Sequence, residues 1–320
     1  MTDTSASQLQ PQPTADLTRL LSERYAAVRT QHPGEGRRKW RLRVADAFWA
    51  MSPEERAAYA SNPPLTQAEC AAAAFETDAD PLDAHCGNAP GLGVLVRTDF
   101  ADERAWAAFY EKLQAAEREF AEDVGEDADG DGEEGMAVED ASASGSGSAS
   151  ASMDVDNDEN DSSDDESPGA SSPTPIIHTL NPPPTSPLRP LLTHISNLTA
   201  LRLLTDVAVR CAPAPPAGTK RIKPPNRLVE HDGWQEVYVG KTLWVYDARS
   251  NADGCVRLVS ARGAGYGTAT ADSWRARVSH LCELQANLAS GALTIDFGGM
   301  DRWDHAERAR NMAEAATPIA

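Results

Sequence analysis

The chain has 320 residues, room for one large domain or two modest ones, and its formal net charge is −20. Eighteen Asp and Glu lie between Ala121 and Pro173 with no Lys or Arg among them, which leaves the remainder at −2. The acidity therefore belongs to one segment, and nucleic acid is a disfavoured partner. No apolar run approaches the roughly 18 residues of a membrane-spanning helix, so no membrane partner is expected. The N-terminus MTDTSASQLQPQPTADL lacks the basic start and apolar run of a signal peptide. The cysteines (Cys70, Cys86, Cys211, Cys255, Cys282) are odd in number and contain no CxxC pair. Together these features predict reduced thiols in a protein of the cytoplasm or nucleus that is not secreted.

Residues 1–13 are polar and are expected to be disordered. From Thr14 the pattern turns helical, with Leu17, Leu20, Leu21, Tyr25 and Val28 spaced to line one face. A second helical stretch carries Trp40, Val44, Phe48 and Trp49. In Ser52-Pro53-Glu54-Glu55, Ser can cap, Pro fits the first turn and Glu55 can reach back to the cap N–H. Thr66-Gln67-Ala68-Glu69 repeats that logic, so residues 14–76 read as three or four short helices. Residues 77–92, rich in Pro and Gly, read as a linker.

At Gly93 the character changes. GVLVRTDF reads as a buried strand, and Asp99 or Asp102 can cap the following helix, whose apolar stripe is Trp106, Phe109, Tyr110, Leu113 and Phe120. Residues 121–173 combine high charge with Gly and Ser repeats and are expected to form a disordered acidic insert. Order resumes with PIIHTL as a strand, a short helix near Leu191–Leu198, and ALRLLTDVAVR, predicted as a strand. EVYV and TLWVYDA are predicted to pair as a hairpin through Gly240-Lys241. NADG turns into the strand CVRLVSA, and the glycine-rich RGAGYGT leads to a predicted helix from Asp272 to Leu288. ALTIDF is predicted as the last strand, with a helix and tail over 306–320. The fold class is α+β: a mixed, partly antiparallel sheet with flanking helices over 93–305, preceded by the helical region and interrupted by the acidic insert.

The stretch Leu95-Val96-Arg97-Thr98-Asp99-Phe100, followed by Asp102 and Trp106, resembles the opening of an uncharacterised domain family of actinobacteria and fungi. TLWVYDA and CVRLVSA resemble its next two strands, and Gln285-Ala286-Asn287-Leu288, Ile295-Asp296-Phe297 and Trp303 its ending. The resemblance covers 93–120 and 174–305. It implies the α+β fold and carries over no catalytic residues.

Asp127, Asp129, Asp131 and Gly132 mimic the start of an EF-hand loop, but position eight is Glu134 and position twelve Val138, so the bidentate ligand is missing. Gly263, Gly265 and Gly267 form a glycine loop between a predicted strand and helix, where backbone amides can cradle a phosphate. The dinucleotide fingerprint would need glycine at Thr268. Lys220, Arg221 and Lys223 match a short nuclear-import signal. Arg37-Arg38-Lys39 beside Trp40 faintly resembles part of an HMG box, a pattern that amphipathic helices explain more cheaply. Ser162 and Ser163 precede Asp164-Asp165-Glu166, and Ser167 and Ser172 precede proline, so these four are candidate phosphorylation sites. The histidines show no HExxH or HxxxH spacing, and no cofactor, metal set or catalytic residue is indicated. The expected function is a noncatalytic protein-interaction module whose acidic stretch, residues 121–173, contacts a basic protein partner. The alternative is a small-ligand or nucleotide-binding enzyme using the 263–267 loop with Tyr266, Arg262 and Trp274 beside it.

Overall fold

The computed structural model describes residues 17–61, 69, 73–129, 175–220, 223–263, 265–299 and 304–319. The chain opens with helices α1 (Leu17–Gln31), α2 (Arg37–Trp49), α3 (Pro53–Ser61) and α4 (Ala74–Thr77). Leu17, Leu20, Leu21 and Tyr25 are the buried residues of α1, the face its spacing predicts. The capping box at α3 forms: Glu55 N–H donates to Ser52 Oγ at 3.2 Å, and Ser52 N–H donates to Glu55 Oε2 at 2.8 Å.

Strand β1 (Gly93–Arg97) is buried along its whole length. It leads to α5 (Glu103–Asp129), capped by Asp102, whose Oδ1 accepts from Arg104 and Ala105 N–H at 2.9 Å. Strand β2 (Ile177–Leu180) then pairs parallel to β1. After α6 (Leu188–Leu192) and α7 (Asn197–Leu204) come β3 (Asp206–Cys211), β4 (Trp234–Val239) and β5 (Thr242–Tyr246). The remaining elements are α8 (Ser250–Asp253), β6 (Cys255–Val259), β7 (Ser273–Arg277), α9 (Leu281–Ser290) and α10 (His305–Ala315). The fold is α+β. One sheet runs β2-β1-β5-β6-β7, parallel over its first three strands and antiparallel over its last three, and β3 and β4 form a separate antiparallel ribbon.

The period-two alternation of the central strands builds two cores. Val94, Val96, Leu243 and Val245 face one side, where helices α1, α2 and α7 and the β3–β4 ribbon pack. Leu95, Trp244 and Tyr246 face the other, against Trp106, Phe109 and Leu113 of α5 and Leu281 and Cys282 of α9. The N-terminal helices are thus one layer of the same core as the sheet.

Six expectations need correction. ALRLLTDVAVR is a helix followed by a strand: Ser196 caps Thr199 N–H at 2.9 Å, and Leu198, Leu201 and Leu204 bury one helical stripe before β3 begins. The single helix expected near Leu191–Leu198 is the pair α6 and α7. β4 and β5 do not form a hairpin. β5 is already paired on both edges, by β1 and β6, so β4 pairs with β3. Asp272–Leu288 begins as strand β7, because the edge of β6 recruits Ser273–Arg277 before α9 starts. ALTIDF joins no strand: residues 293–296 are irregular and Phe297 opens a short 3-10 turn. Finally, α5 continues past Ala121 to Asp129 as an extension of the amphipathic helix that packs on the sheet, so the acidic insert starts later than expected. Asp127 and Asp129 therefore sit on a helix and not on a calcium loop. The rest of the insert lies outside the described residues.

The presumed linker 77–92 is pinned by buried ion pairs. Arg38 meets Asp80 at 2.8 Å and Asp83 at 2.6 Å, and Arg37 bridges Asp83 and Asp206, each at 3.0 Å. Gly36 belongs at the turn before α2 because a Cβ there would run into the Asp80 carboxylate. Arg37 and Arg38, the basic pair of the HMG-like stretch, are thus buried in pairing with carboxylates. Replacing Arg38 by Met removes one partner of a pair that is 5% exposed on each side. It is expected to destabilise the fold by about 3–5 kcal/mol in urea denaturation. A loss below about 1 kcal/mol would show that the pair does not hold this segment.

Candidate functional site

The two sheets meet along a seam. Tyr238 N–H of β4 donates to Ala261 O just after β6 at 2.8 Å, and Thr270 Oγ1 donates to Glu236 O at 2.5 Å. Between them Gly240, with φ +152, carries the chain from ribbon to sheet in a conformation that suits glycine. A groove of about 650 Å³ opens at this seam. Its floor and walls come from the end of β3 (Arg210), the β4–β5 connection (Val239–Thr242), the segment after β6 (Ser260–Arg262), Leu288 of α9, and the strandless stretch that includes Leu293, Ile295 and Phe297.

Its electrostatics set it apart. Three cations line it, Arg210, Lys241 and Arg262, and no Asp or Glu does. Arg210 Nε and Nη2 donate to Gln235 Oε1 at 3.1 and 2.8 Å, and Nη2 also donates to Gly263 O. Burial, and then the neighbouring Arg262 charge, pull the Arg210 pKa below the usual guanidinium range. Lys241 Nζ donates to the carbonyls of Ala89 and Gly91, the latter at 2.7 Å. Arg262 is exposed; its carbonyl accepts from Ser260 Oγ at 2.6 Å, while its guanidinium has no hydrogen-bond or ion-pair partner among the described residues.

The other large cavities differ in this respect. In the cavity beside Trp49 and His231, Arg227 is matched by Asp46 at 2.7 Å and Glu236 at 3.1 Å. In the apolar groove beside Leu42 and Leu191, Arg38 pairs with Asp80, Lys39 with Glu35, and Arg202 with Glu314. Of these three cavities, the one at the seam combines several cations with no carboxylate.

The glycine loop borders this groove without forming it. Thr268 Oγ1 accepts from Gly265 N–H at 3.1 Å and donates to Gly265 O at 2.7 Å, so the loop closes on itself. A Cβ at Gly263 would meet Thr268 O and Gln235 Nε2. Gly267, with φ +88, presents its carbonyl to Arg308 at 2.7 Å. The loop leads into β7, not into a helix, so helix N-terminal amides are not arrayed behind it. Tyr266 Oη donates to Lys220 O at 2.8 Å and ties the basic loop to the glycine loop. Lys220 and Lys223 are exposed. Arg221 and the candidate phosphorylation sites Ser162, Ser163, Ser167 and Ser172 lie outside the described residues. No group of three or more His, Cys, Asp or Glu is placed to hold a metal ion among the described residues. No described helix is long and apolar enough to cross a membrane.

Of the groove's cations, sequence reasoning had singled out only Arg262. Lys241 read as a turn residue and Arg210 as the end of a strand. Lys241 and Arg262 share one local signal, a basic residue with no acid within four positions, whereas Arg210 has Asp206 four residues before it. Compared with known proteins, the chain matches no family profile, no curated protein and no solved structure.

Beyond the glycine loop, Asp272 is fully buried, accepting from Ala269 N–H at 2.7 Å and pairing with Arg308 at 2.8 Å. Burial raises its pKa from 3.8 to about 6, against the opposing pull of the Ala269 N–H and Arg308. A carboxyl raised on folding binds more protons in the native chain than in the unfolded one. Its contribution is therefore most favourable below about pH 4 and is lost as pH rises through about 6. The stability difference between wild type and Asp272→Asn is expected to fall by up to about 3 kcal/mol between pH 4 and pH 7, measured by urea denaturation across pH. A difference that is flat with pH would contradict this assignment.

Proposed function

We propose that this chain is a noncatalytic binding module that takes an anionic ligand in the groove at the seam of its two sheets. The observation that carries this reading is the lining itself: Arg210, Lys241 and Arg262 with no carboxylate, in a chain of net charge −20. Cations left unmatched in a concave site focus positive potential and favour a negative guest. The groove's volume falls within the range of sites that bury small organic ligands.

A second contact surface in the same reading is the acidic stretch between α5 and β2, which would meet a basic protein partner. What supports it is the concentration of 18 carboxylates without a base in 121–173.

The test of the groove is a thermal-shift panel of small organic carboxylates, sulfonates and phosphates, each beside a neutral counterpart of the same shape. At least one anion is expected to raise Tm where its neutral counterpart does not, and Arg262→Glu is expected to remove that rise. Arg262 is exposed, so its replacement should leave the fold intact. Equal shifts from anions and neutral counterparts, or a shift that survives Arg262→Glu, would count against the reading.

A further inference from the structure

The balance of free and engaged groups in the groove narrows the ligand. We infer that the site is built for a singly charged anion with an aliphatic tail, an acyl carboxylate or its sulfonate equivalent, and not for a nucleotide or polyphosphate. This inference rests on the anion-binding reading above.

The head group follows from the cations. Arg210 is engaged by Gln235 and the Gly263 carbonyl, and Lys241 by the Ala89 and Gly91 carbonyls. That leaves the Arg262 guanidinium without a partner among the described residues. One free guanidinium presents a planar fork that matches one carboxylate. A triphosphate carries several more charges than that and would leave most of them unmatched in a partly desolvated site.

The body of the ligand follows from the walls. Leu288, Leu293, Ile295 and Phe297 line the groove together with Val239, which is 62% exposed. Val239 is one of three large apolar side chains left exposed among the described residues. An exposed valine in a groove walled by other apolar side chains gains from a covering apolar chain. The two aromatic residues of the lining are both buried and set out no open face for a nucleobase: Phe297 is 9% exposed, and Tyr238 is 3% exposed with its hydroxyl donating to Glu236 at 2.6 Å. Strand β4 also offers an extended peptide no free edge to join. Along β4 the N–H groups of Glu236 and Tyr238 already donate to Arg227 O and Ala261 O, at 2.7 and 2.8 Å.

The experiment is isothermal titration of the full chain with a series of monomeric carboxylates from acetate to decanoate, with decanol and inorganic phosphate as controls. Affinity is expected to rise roughly two- to fourfold for each added methylene until the tail fills the groove. Arg262→Ala is expected to weaken decanoate roughly tenfold to a hundredfold and to leave decanol unchanged. Leu293→Asn should flatten the chain-length series while sparing the weak binding of acetate. If phosphate or acetate binds as tightly as decanoate, the anion-binding reading stands and the tail inference falls. If none of the anions binds, both fall. Phosphatidylcholine vesicles doped with phosphatidate form the last arm. Co-sedimentation with them in the absence of any decanoate binding would place the chemistry at a lipid surface and overturn the assignment to a free ligand.

Discussion

Strand β5 can pair with only two neighbours, and they are β1 and β6. Much of the architecture follows from that constraint. The strand that precedes it in sequence, β4, is two residues away and yet cannot join it. β4 turns instead to β3, and the chain must pass from one sheet to another at Gly240 and Lys241. The two sheets are joined here by two residues and share no continuous hydrogen-bond ladder. The seam is closed at Tyr238 and Thr270 by single hydrogen bonds, and beside them it stays open as the groove.

Charge follows the same division between packed interior and seam. Where arginines are buried in the body of the fold they are matched: Arg38 by Asp80 and Asp83, Arg227 by Asp46 and Glu236, and Arg257 and Arg275 both by Asp247. Burying such a charge without a partner would cost several kcal/mol. At the seam the cations are matched only by amide and carbonyl oxygens, or not at all. Carbonyl dipoles hold a cation in place without cancelling its charge, so the groove keeps a positive potential inside a strongly acidic chain.

Local signals read well and non-local ones did not. The helical face of α1, the capping box at Ser52 and Glu55, the buried strand β1 and the aromatic stripe of α5 are each written within a dozen or so neighbouring residues. Partner choice between strands is not local, and this is why EVYV and TLWVYDA read as a hairpin. SWRAR read as helix because the reason it is a strand lies elsewhere, in the free edge of β6 and in Asp247 and Asp253, which receive Arg275. The groove was illegible for the same reason. Arg210, Lys241 and Arg262 come from three separate elements, and only the crossing at Gly240 brings them together. The glycine loop is legible because it is contiguous, although its Gly265 amide is turned inward on Thr268.

The central claim is that unmatched positive charge at the seam makes the seam the binding site. It is tested most directly by amide chemical-shift mapping of the labelled full chain during titration with decanoate. The account predicts saturable shifts concentrated on Val239–Thr242, Ser260–Arg262 and the stretch from Leu288 to Phe297. Shifts centred on the Trp49–His231 cavity or the Leu42–Leu191 groove, or the absence of any saturable shift, would contradict it.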